Sequence, residues 1–440
     1  NLGASGSSID FGTSFASASG GNYRLCWCSG HFSCQLPTDF RVQLGELTIL
    51  GMSPLYQDRT CISGETCAIH GLLGQSLSDS SRVMILDSCG VADLIPRLEG
   101  VAERVEDKGS SMKWELPMSA AGGKYRLCWC ADQGNSSDWP SRCSDPLNFA
   151  QDAGTLMLLG AAPLVQDFTC QVGSTCPLRA ISGEGLTAED SVMLLDTCGA
   201  GKLPERFPMD SNITSTSGSS GTLRYMTGPY FNIIWQTVTA SGGRYRLCWC
   251  SSSATCSTAE DFRLDFGTLT LAGPSPLLQL YTCTSGRVCT LPRVSMVPGD
   301  FVGEVAVLST CSFQSALPPA GFHGQLLTNA SNRITASGGY YTLCWNSARD
   351  TSNITVDADI GVFQTALGQL FVLGPAPLAQ DRSCIRGQTC SLSGFQGRGL
   401  SLSDEIRVMD TCGVESAVPR APQAGHFSQV SESGASVNWG

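Results

Sequence analysis

The segment Gly122–Cys130 reads GGKYRLCWC, and close copies of it recur three more times along the chain. The copies begin at Gly20 (GGNYRLCWC), Gly242 (GGRYRLCWC) and Gly338 (GGYYTLCWN). Each copy is rich in aromatic and apolar residues and starts at a glycine pair, which is typical of a short strand entered through a turn. Recurrence of one such unit at a spacing of about 100 residues indicates a tandem array.

A second block of cysteines repeats with constant spacing. Gaps of six and then 22 residues separate the members of four sets, which are Cys61-Cys67-Cys89, Cys170-Cys176-Cys198, Cys283-Cys289-Cys311 and Cys384-Cys390-Cys412. A join of 17 residues without insertions, such as GTLMLLGAAPLVQDFTC, links the blocks and always carries a proline (Pro54, Pro163, Pro276 and Pro377). This favours a stiff rod, and the alternative is an ordinary multidomain ectodomain with short linkers.

The amino-acid composition argues against some classes of protein and favours a disulfide-bonded one. The chain has 440 residues, 22 Cys, 42% hydrophobic and 15% charged residues, and a formal net charge of −11. The acidic balance argues against nucleic-acid binding, and the cysteines indicate disulfides in an oxidising compartment. No apolar run reaches the roughly 18–20 residues of a membrane span. The chain opens with Asn1 and has no signal-peptide core, so we take it as a mature protein or a stretch of a longer one.

We predict an all-β fold of tandem immunoglobulin-like β-sandwich repeats of about 100 residues, disulfide-rich and rod-like. Runs such as Arg82–Leu86 and Thr155–Leu159 are short and β-rich, and no long stretch has an apolar period of 3.6 residues. A small barrel is the alternative. The predicted segments are 1–52 (C-terminal half of a repeat), 53–161, 162–274 and 275–375 (whole repeats), and 376–440 (N-terminal half of a repeat).

The two half-repeats are complementary. Residues 1–52 hold the CWC block and lack the Cys-x5-Cys block, whereas residues 376–440 hold the opposite block. Either flanking sequence completes each half, or one end completes the other end of the next copy in an open head-to-tail filament. The sequence leaves both possibilities open.

Losses shared between repeats predict the local disulfides. The fourth CWC copy has Asn346 at the position of the second cysteine, and the loop cysteine that follows in the other copies is missing too. Cysteines that pair tend to be lost together, since a leftover thiol is reactive. We therefore predict Cys28–Cys34, Cys130–Cys143 and Cys250–Cys256.

A second shared loss predicts the long-range disulfides. Asp87 and Arg126, like Asp196 and Arg246, precede cysteines by two residues, and the third whole repeat replaces both with Ser309 and Thr342. We predict buried ion pairs Asp87–Arg126 and Asp196–Arg246, because loss of one partner would strand a buried charge. Residues two apart on a strand share a face, so the neighbouring cysteines should meet as Cys89–Cys128, Cys198–Cys248 and Cys311–Cys344.

The remaining cysteines follow from these pairs. The short-spaced ones are predicted to form the clips Cys61–Cys67, Cys170–Cys176, Cys283–Cys289 and Cys384–Cys390. Cys26 and Cys412 are left over, at positions equivalent to the long-range pair, and Arg24 and Asp410 accompany them. We predict that Cys26 and Cys412 pair between copies or with flanking repeats.

In the predicted strand Lys124–Cys130, the apolar residues Tyr125, Leu127 and Trp129 alternate with Arg126, Cys128 and Cys130. This predicts a core face and a disulfide face. The alternative is that one face packs on a neighbouring chain.

Sequons predict N-linked glycans at Asn135, Asn212, Asn329 and Asn353. The catalytic motifs H-E-x-x-H, G-x-S-x-G and the P-loop are missing, so we expect no enzyme, no metal centre and no cofactor. Asp79, Asp190 and Asp404 precede strands, where turn capping is the favoured role and a structural Ca²⁺ site the weaker alternative.

The motifs GGxYRLCWC, QDxTC and VMLLDTCG (Val192–Gly199) resemble Cys-rich tandem repeats of secreted proteins of dinoflagellates and related protists. The predicted architecture also resembles mastigoneme glycoproteins, the extracellular hairs of protist flagella. The resemblance implies an extracellular structural subunit of a glycoprotein filament, with copies of itself as partners. The alternative is a cell-surface adhesin or receptor ectodomain that binds a carbohydrate or protein ligand, with the divergent third whole repeat as the place for special contacts.

Overall fold

A computed structural model describes most of the chain. The described residues are 16–31, 33–98, 104–131, 142–200, 202–207, 220–222, 224–225, 230–291, 294–297, 303–311, 319–322, 327, 333–346, 363–415, 418–426, 429–431 and 436–439. All 22 cysteines lie among them. The sequon residues Asn135, Asn212, Asn329 and Asn353 lie outside them, and glycosylation stays a prediction.

Short strands make up the regular structure of the described residues. The N-terminal half-repeat has β1 (Gly21–Trp27), β2 (Val42–Ile49) and β3 (Gly51–Met52). The first whole repeat has β4 (Arg59–Ile62), β5 (Cys67–Ile69), β6 (Gly74–Gln75), β7 (Arg82–Leu86), β8 (Arg104–Glu106), β9 (Ser111–Trp114), β10 (Gly123–Cys130) and β11 (Gln151–Ala161). The second has β12 (Phe168–Gln171), β13 (Cys176–Ile181), β14 (Gly183–Glu184), β15 (Ser191–Leu195), β16 (Ser220–Thr222), β17 (Arg224–Tyr225), β18 (Phe231–Trp235), β19 (Gly243–Cys250) and β20 (Leu264–Pro274).

The third whole repeat has β21 (Gln279–Thr284), β22 (Met296–Val297), β23 (Glu304–Leu308), β24 (Gly339–Asn346) and β25 (Thr365–Pro375). The C-terminal half-repeat has β26 (Cys390–Leu392), β27 (Gly397–Arg398), β28 (Gln429–Ser431) and β29 (Ser436–Trp439). Single 3-10 turns occur at Pro37–Asp39, Asp107–Gly109, Arg142–Ser144, Pro146–Asn148, Ala259–Asp261 and Pro422–Gly425.

Each of the first two whole repeats is a sandwich of two sheets. In the first repeat one sheet has the order β4-β11-β10-β7, with β4 parallel to β11 and the other pairs antiparallel. The second sheet has the order β5-β9-β8. The second repeat matches it, with β12, β20, β19 and β15 facing β13-β18-β17. Two separate sheets confirm the predicted all-β immunoglobulin-like sandwich over the barrel alternative.

Alternation along β10 explains both layers of the core. Leu127 and Trp129 point between the sheets, where they join a buried cluster with Trp114 and Ile85. Cys128 and Cys130 point the other way into a smaller cluster with Phe149. The strand therefore has the predicted core face and disulfide face.

A tyrosine fixes the entrance to this strand in every copy. The Tyr125 hydroxyl donates to the carbonyl oxygen of Ala121 at 2.8 Å. Tyr23, Tyr245 and Tyr341 make the same bond to the residue four positions earlier. A tyrosine that bonds back to upstream backbone near the start of this strand is a feature of immunoglobulin-like sandwiches.

A β-bulge shapes the central strand pair. The register shifts between Leu127 and Cys128, and the equivalent shift occurs in all four copies. On the partner strand Gly154 has a φ of +144°, and a Cβ there would lie 2.6 Å from the backbone nitrogen of Gln57. Only glycine lets the start of the repeat cross this strand so closely.

The last strand of each whole repeat continues into the next repeat. The end of β11 pairs with β14, the end of β20 pairs with β22, and the end of β25 pairs with β27. One buried apolar cluster also runs from the second repeat into the third and includes Trp249 and Trp345. Neighbouring repeats thus share backbone pairing and core packing, which opposes independent motion.

Candidate assembly interface

The disulfides clamp the sheets at equivalent positions. The structure joins all ten pairs expected inside the chain. They are Cys28–Cys34, Cys61–Cys67, Cys89–Cys128, Cys130–Cys143, Cys170–Cys176, Cys198–Cys248, Cys250–Cys256, Cys283–Cys289, Cys311–Cys344 and Cys384–Cys390. Cys26 and Cys412 are exposed and unpaired.

The predicted ion pairs Asp87–Arg126 and Asp196–Arg246 are wrong in their acidic partners. Arg126 bonds to Asp152 of β11, with Nε donating to Oδ2 at 2.9 Å, and also donates to the Thr155 hydroxyl at 3.0 Å. Arg246 lies 3.6 Å from Asp265 of β20. Asp87 and Asp196 are exposed. The pairs are not buried either, since the side chains of Arg126 and Asp152 are 33% and 41% exposed.

The bulge explains this partner choice. Arg126 is opposite Thr155 and Cys128 is opposite Asp152, because the shifted register skips Ala153. The acid therefore lies diagonally across β10 and β11, on the side of Arg126 away from β7. The sequence contained this signal, since the third repeat has Thr342 and Ala366 at the two positions. The third repeat lacks both Asp87 and Asp152 equivalents, with Ser309 and Ala366 in their places, so sequence comparison alone did not show which acid pairs with the arginine.

The N-terminal half-repeat is an open hairpin of β1 and β2. Trp27 is 49% exposed, whereas the equivalent Trp129, Trp249 and Trp345 are buried in their sandwiches. Phe40 is 39% exposed, and its equivalents Phe149, Phe262 and Phe363 are fully buried. Val42 and Leu44 are exposed as well. Side chains that are covered in a whole repeat, on the core face and on the disulfide face, are therefore uncovered here.

The C-terminal half-repeat carries the strands that this hairpin lacks. Its three-stranded sheet β26-β29-β28 corresponds to β5-β9-β8 of the first repeat. Residues 405–409 occupy the position of β7, but instead of a strand this described segment has isolated bridges, one of which joins Arg407 to His426. Ile406 and Val408 are half-buried, whereas their equivalents Val83 and Ile85 are buried. This edge has the open position that β1 fills in a whole repeat.

The two free cysteines lie at the two open edges. Cys128 is opposite Met84 in the first repeat, and its disulfide reaches Cys89 just beyond the end of β7. Cys26 is equivalent to Cys128, and Cys412 is equivalent to Cys89. A hairpin docked on residues 405–409 in the register of a whole repeat would bring their sulfur atoms together.

Sequence comparison overlooked a glutamine at each join. Nε2 of Gln57, Gln166, Gln279 and Gln380 donates to the carbonyl oxygen of the proline three residues earlier, at 2.6–2.9 Å. Each amide also exchanges two hydrogen bonds with the backbone 16 residues later. The signal was present, because all four joins read Pro-Leu-x-Gln.

The aspartates considered for Ca²⁺ bond to turns. Asp190 accepts hydrogen bonds from the backbone nitrogens of Thr187 and Ser252 at 2.9 Å. Asp79 accepts from Gly109 and Asp404 accepts from Ser401. Among the described residues no group of three acidic, His or Cys side chains is arranged to hold a metal. No helix in the described ranges is long and apolar enough to cross a bilayer.

Comparison with known proteins gives one distant relative. No family model matches the chain. Cysteine repeat modular protein B of Toxoplasma gondii is 21% identical over an alignment of length 455, which covers 88% of this chain and 5% of that protein. The chain thus spans a small part of its relative and is similar to a Cys-rich repeat protein of protists.

Comparison with solved structures gives matches of low TM-score. The N-terminal eight Ig domains of Down Syndrome Cell Adhesion Molecule match 90% of this chain and 52% of that chain, with 14% identity and a TM-score of 0.20. Bacteroides ovatus SGBP-B in complex with a mixed-linkage heptasaccharide matches 78% and 76%, with 13% identity and a TM-score of 0.19. At such low TM-scores the fold is defined by the strand pairing above. The chain is a disulfide-rich tandem repeat protein of immunoglobulin-like sandwiches.

Proposed function

We propose that the chain is an extracellular structural subunit whose repeats assemble head to tail into a mastigoneme-like glycoprotein hair or surface fibre. The observation that carries the proposal is the complementarity of the two open half-repeats. One exposes β1, β2 and Cys26, and the other lacks those two strands and exposes Cys412. An enzymatic role is not part of the proposal.

The completed domain would have the register of a whole repeat. Trp27 would lie opposite Ile406, as Trp129 lies opposite Val83, and Leu25 opposite Val408. Docking would bury four side chains that are exposed here, namely Trp27, Phe40, Val42 and Leu44. Full burial of one large apolar side chain stabilises a contact by roughly 1.5–3 kcal/mol. Between copies of this segment the contact is heterologous and does not close, so it would extend into a filament; in a longer chain, flanking repeats would make the same contact.

Isotope mixing provides the test. Chains labelled with ¹⁴N and chains labelled with ¹⁵N are reduced separately, mixed and then reoxidised together. The product is imaged by negative-stain electron microscopy, and a second sample is digested for mass spectrometry. We expect filaments and a Cys26–Cys412 linked peptide that joins light and heavy chains. Free Cys26 and Cys412 in the assembled material, or discrete particles only, would contradict the proposal.

Two variants separate docking from the disulfide. Trp27→Asp should abolish filaments, whereas Tyr56→Asp, a matched change of an exposed aromatic outside the open face, should leave them intact. Cys412→Ser should weaken filaments without abolishing end-to-end contacts at high concentration. Equal loss with both aspartate variants would show that the open hairpin is not the contact.

The second candidate is an adhesin or receptor ectodomain. It is favoured by one observation, which is that the third whole repeat carries a stacked aromatic pair, Tyr340 and Phe371, on its outer face, where the first repeat has Lys124 and Met157 and the second has Arg244 and Thr270.

A further inference from the structure

The outer face of the first sheet of the third whole repeat differs from the same face elsewhere. Two rows of side chains cross this sheet. One row is Thr282, Phe371 and Tyr340, and the other is Leu280, Gln369 and Thr342. We call these six residues the aromatic face.

The first repeat shows what this face has lost. Its first row is Thr60, Met157 and Lys124. Its second row is Asp58, Thr155 and Arg126. The second repeat carries Asp167, Arg244 and Arg246 at the charged positions. All three charged positions are uncharged in the third repeat, and Ala366 replaces the acid Asp152 as well.

Aromatic side chains replace part of the lost charge. The rings of Tyr340 and Phe371 are stacked with centroids 4.7 Å apart and an interplanar angle of 27°. Tyr340 is 62% exposed. A rigid ring pair held on two adjacent strands is a preorganised apolar platform, which a solvent-facing sheet does not need for its own stability.

A cleft lies beside the platform. It has a volume of about 440 Å³ and is lined by Leu278, Leu280, Thr342, Ala366 and Gln369, with Gln279 and Gly368. In the first repeat the same space is occupied by the Arg126–Asp152 pair, so the short side chains of Thr342 and Ala366 open it. Its volume falls within the ~300–1,000 Å³ range of small-molecule sites.

The polar groups of the cleft suit hydroxyl groups. The Gln369 amide is exposed and both donates and accepts, as does the Thr342 hydroxyl. One cation, Arg206, reaches the edge of the cleft, where its guanidinium donates to the carbonyl oxygen of Ala366 at 3.3 Å. The face thus combines ring planes with uncharged hydrogen-bonding groups.

We propose that the aromatic face and its cleft bind a neutral oligosaccharide. The apolar C–H face of a pyranose would stack on Tyr340, and its hydroxyl groups would bond to Gln369 and Thr342. The absence of charge from the six residues avoids the desolvation of ions that binding an uncharged ligand would otherwise require. This proposal is independent of filament assembly.

The test uses the whole oxidised chain and a defined panel of neutral hexasaccharides, namely cellohexaose, chitohexaose and mannohexaose, with hexagalacturonate as the charged comparison. We expect at least one neutral sugar to bind by isothermal titration calorimetry. Tyr340→Ala should weaken that binding roughly tenfold, which corresponds to about 1.4 kcal/mol for the lost aromatic contact. The matched change Lys124→Ala in the first repeat should have no effect.

Three outcomes would overturn the proposal. The first is that no neutral sugar binds. The second is that hexagalacturonate alone binds and Arg206→Ala removes it. The third is that Tyr340→Lys, which restores the character of the other repeats, lowers self-association in sedimentation without affecting sugar binding, which would make the face a contact between copies. Disulfide mapping and near-ultraviolet circular dichroism confirm that each variant is folded.

Discussion

Gln166 and Ser182 form a two-way hydrogen bond at the entrance to the second whole repeat. Nε2 of Gln166 donates to the carbonyl oxygen of Ser182 at 3.0 Å, and Oε1 accepts from its backbone nitrogen at 3.0 Å. Ser182 directly precedes β14, the strand that pairs with the end of β11. One buried amide therefore fixes the segment through which the first repeat is attached to the second.

Replacement of this amide should loosen the join. Gln166→Ala removes the acceptor of the Ser182 N–H and a donor to the carbonyl oxygens of Ser182 and Pro163, in part-buried surroundings, so we expect a loss of about 1–3 kcal/mol in the free energy of unfolding. Urea unfolding measures it. Gln380→Ala is the matched control, because it makes the same two bonds to the backbone of Gln396 in an exposed position, and its loss should be smaller. Equal losses would show that the buried position is not the cause.

The ion pair of the first repeat should have only a small effect on stability. A double-mutant cycle of Arg126→Ala and Asp152→Ala should give a coupling free energy of roughly 0.2–1 kcal/mol, since both side chains are partly exposed to solvent. The same cycle with Asp87→Ala in place of Asp152→Ala should give no measurable coupling. Strong coupling to Asp87 would contradict the observed geometry.

The buried tyrosines should titrate at high pH. Burial first, and then the negative charge of Asp87, raise the pKa of Tyr125, and Asp196 acts in the same way on the pKa of Tyr245. Asp87→Asn should therefore lower the pKa of Tyr125 while leaving it above the usual value near 10, because burial persists. Ultraviolet absorbance titration measures this change, with Asp196→Asn as the control that leaves Tyr125 unaltered.

The sign of the stability effect follows from these shifts. The folded state favours the neutral phenol, so the stabilisation is complete below pH ~10, the pKa in the unfolded chain, and is lost as the pH rises through the higher folded value. Unfolding that became easier as the pH fell towards neutrality would contradict this assignment.

The long-range disulfide should contribute more to stability than the local clip. Cys89–Cys128 spans 39 residues and Cys61–Cys67 spans six. The chain-entropy relation gives about 4 kcal/mol for the longer loop and about 2 kcal/mol for the shorter one. Unfolding of Cys89→Ala/Cys128→Ala and Cys61→Ala/Cys67→Ala variants compares the two values. The reverse order would show that strain or packing, rather than loop length, decides.

Internal repetition made much of this molecule predictable. Equivalent positions act as a small set of related sequences, so the joint loss at Asn346 pointed to Cys130–Cys143 and Cys250–Cys256, and the alternation in β10 gave the core face. The partner of Arg126 was missed because the bulge beside Cys128 changes which residues are diagonal neighbours. A bulge adds one residue to one strand, and the cysteine spacing does not record it.

The aromatic face was only partly foreseen. Sequence comparison singled out the third repeat through Ser309 and Thr342, but these residues gave no sign that Phe371 stands beside Tyr340. That neighbour relation depends on the register of β24 and β25, which joins positions 31 residues apart. Short-range patterns predict strands well, whereas pairing across such distances requires the fold.

The parallel pairing of β4 with β11 determines how a repeat responds to tension. The chain enters the sandwich through β4 and leaves through β11, so stretching its two ends slides these strands past each other in shear. All hydrogen bonds of the pair then resist the pull at once, instead of opening one after another as in a hairpin pulled from its tips. If β4 and β11 separate under force, the Cys89–Cys128 disulfide still prevents the 39-residue segment that it closes from being extended. Each repeat should therefore resist stretching strongly, and the disulfide limits how far it can extend once it unfolds.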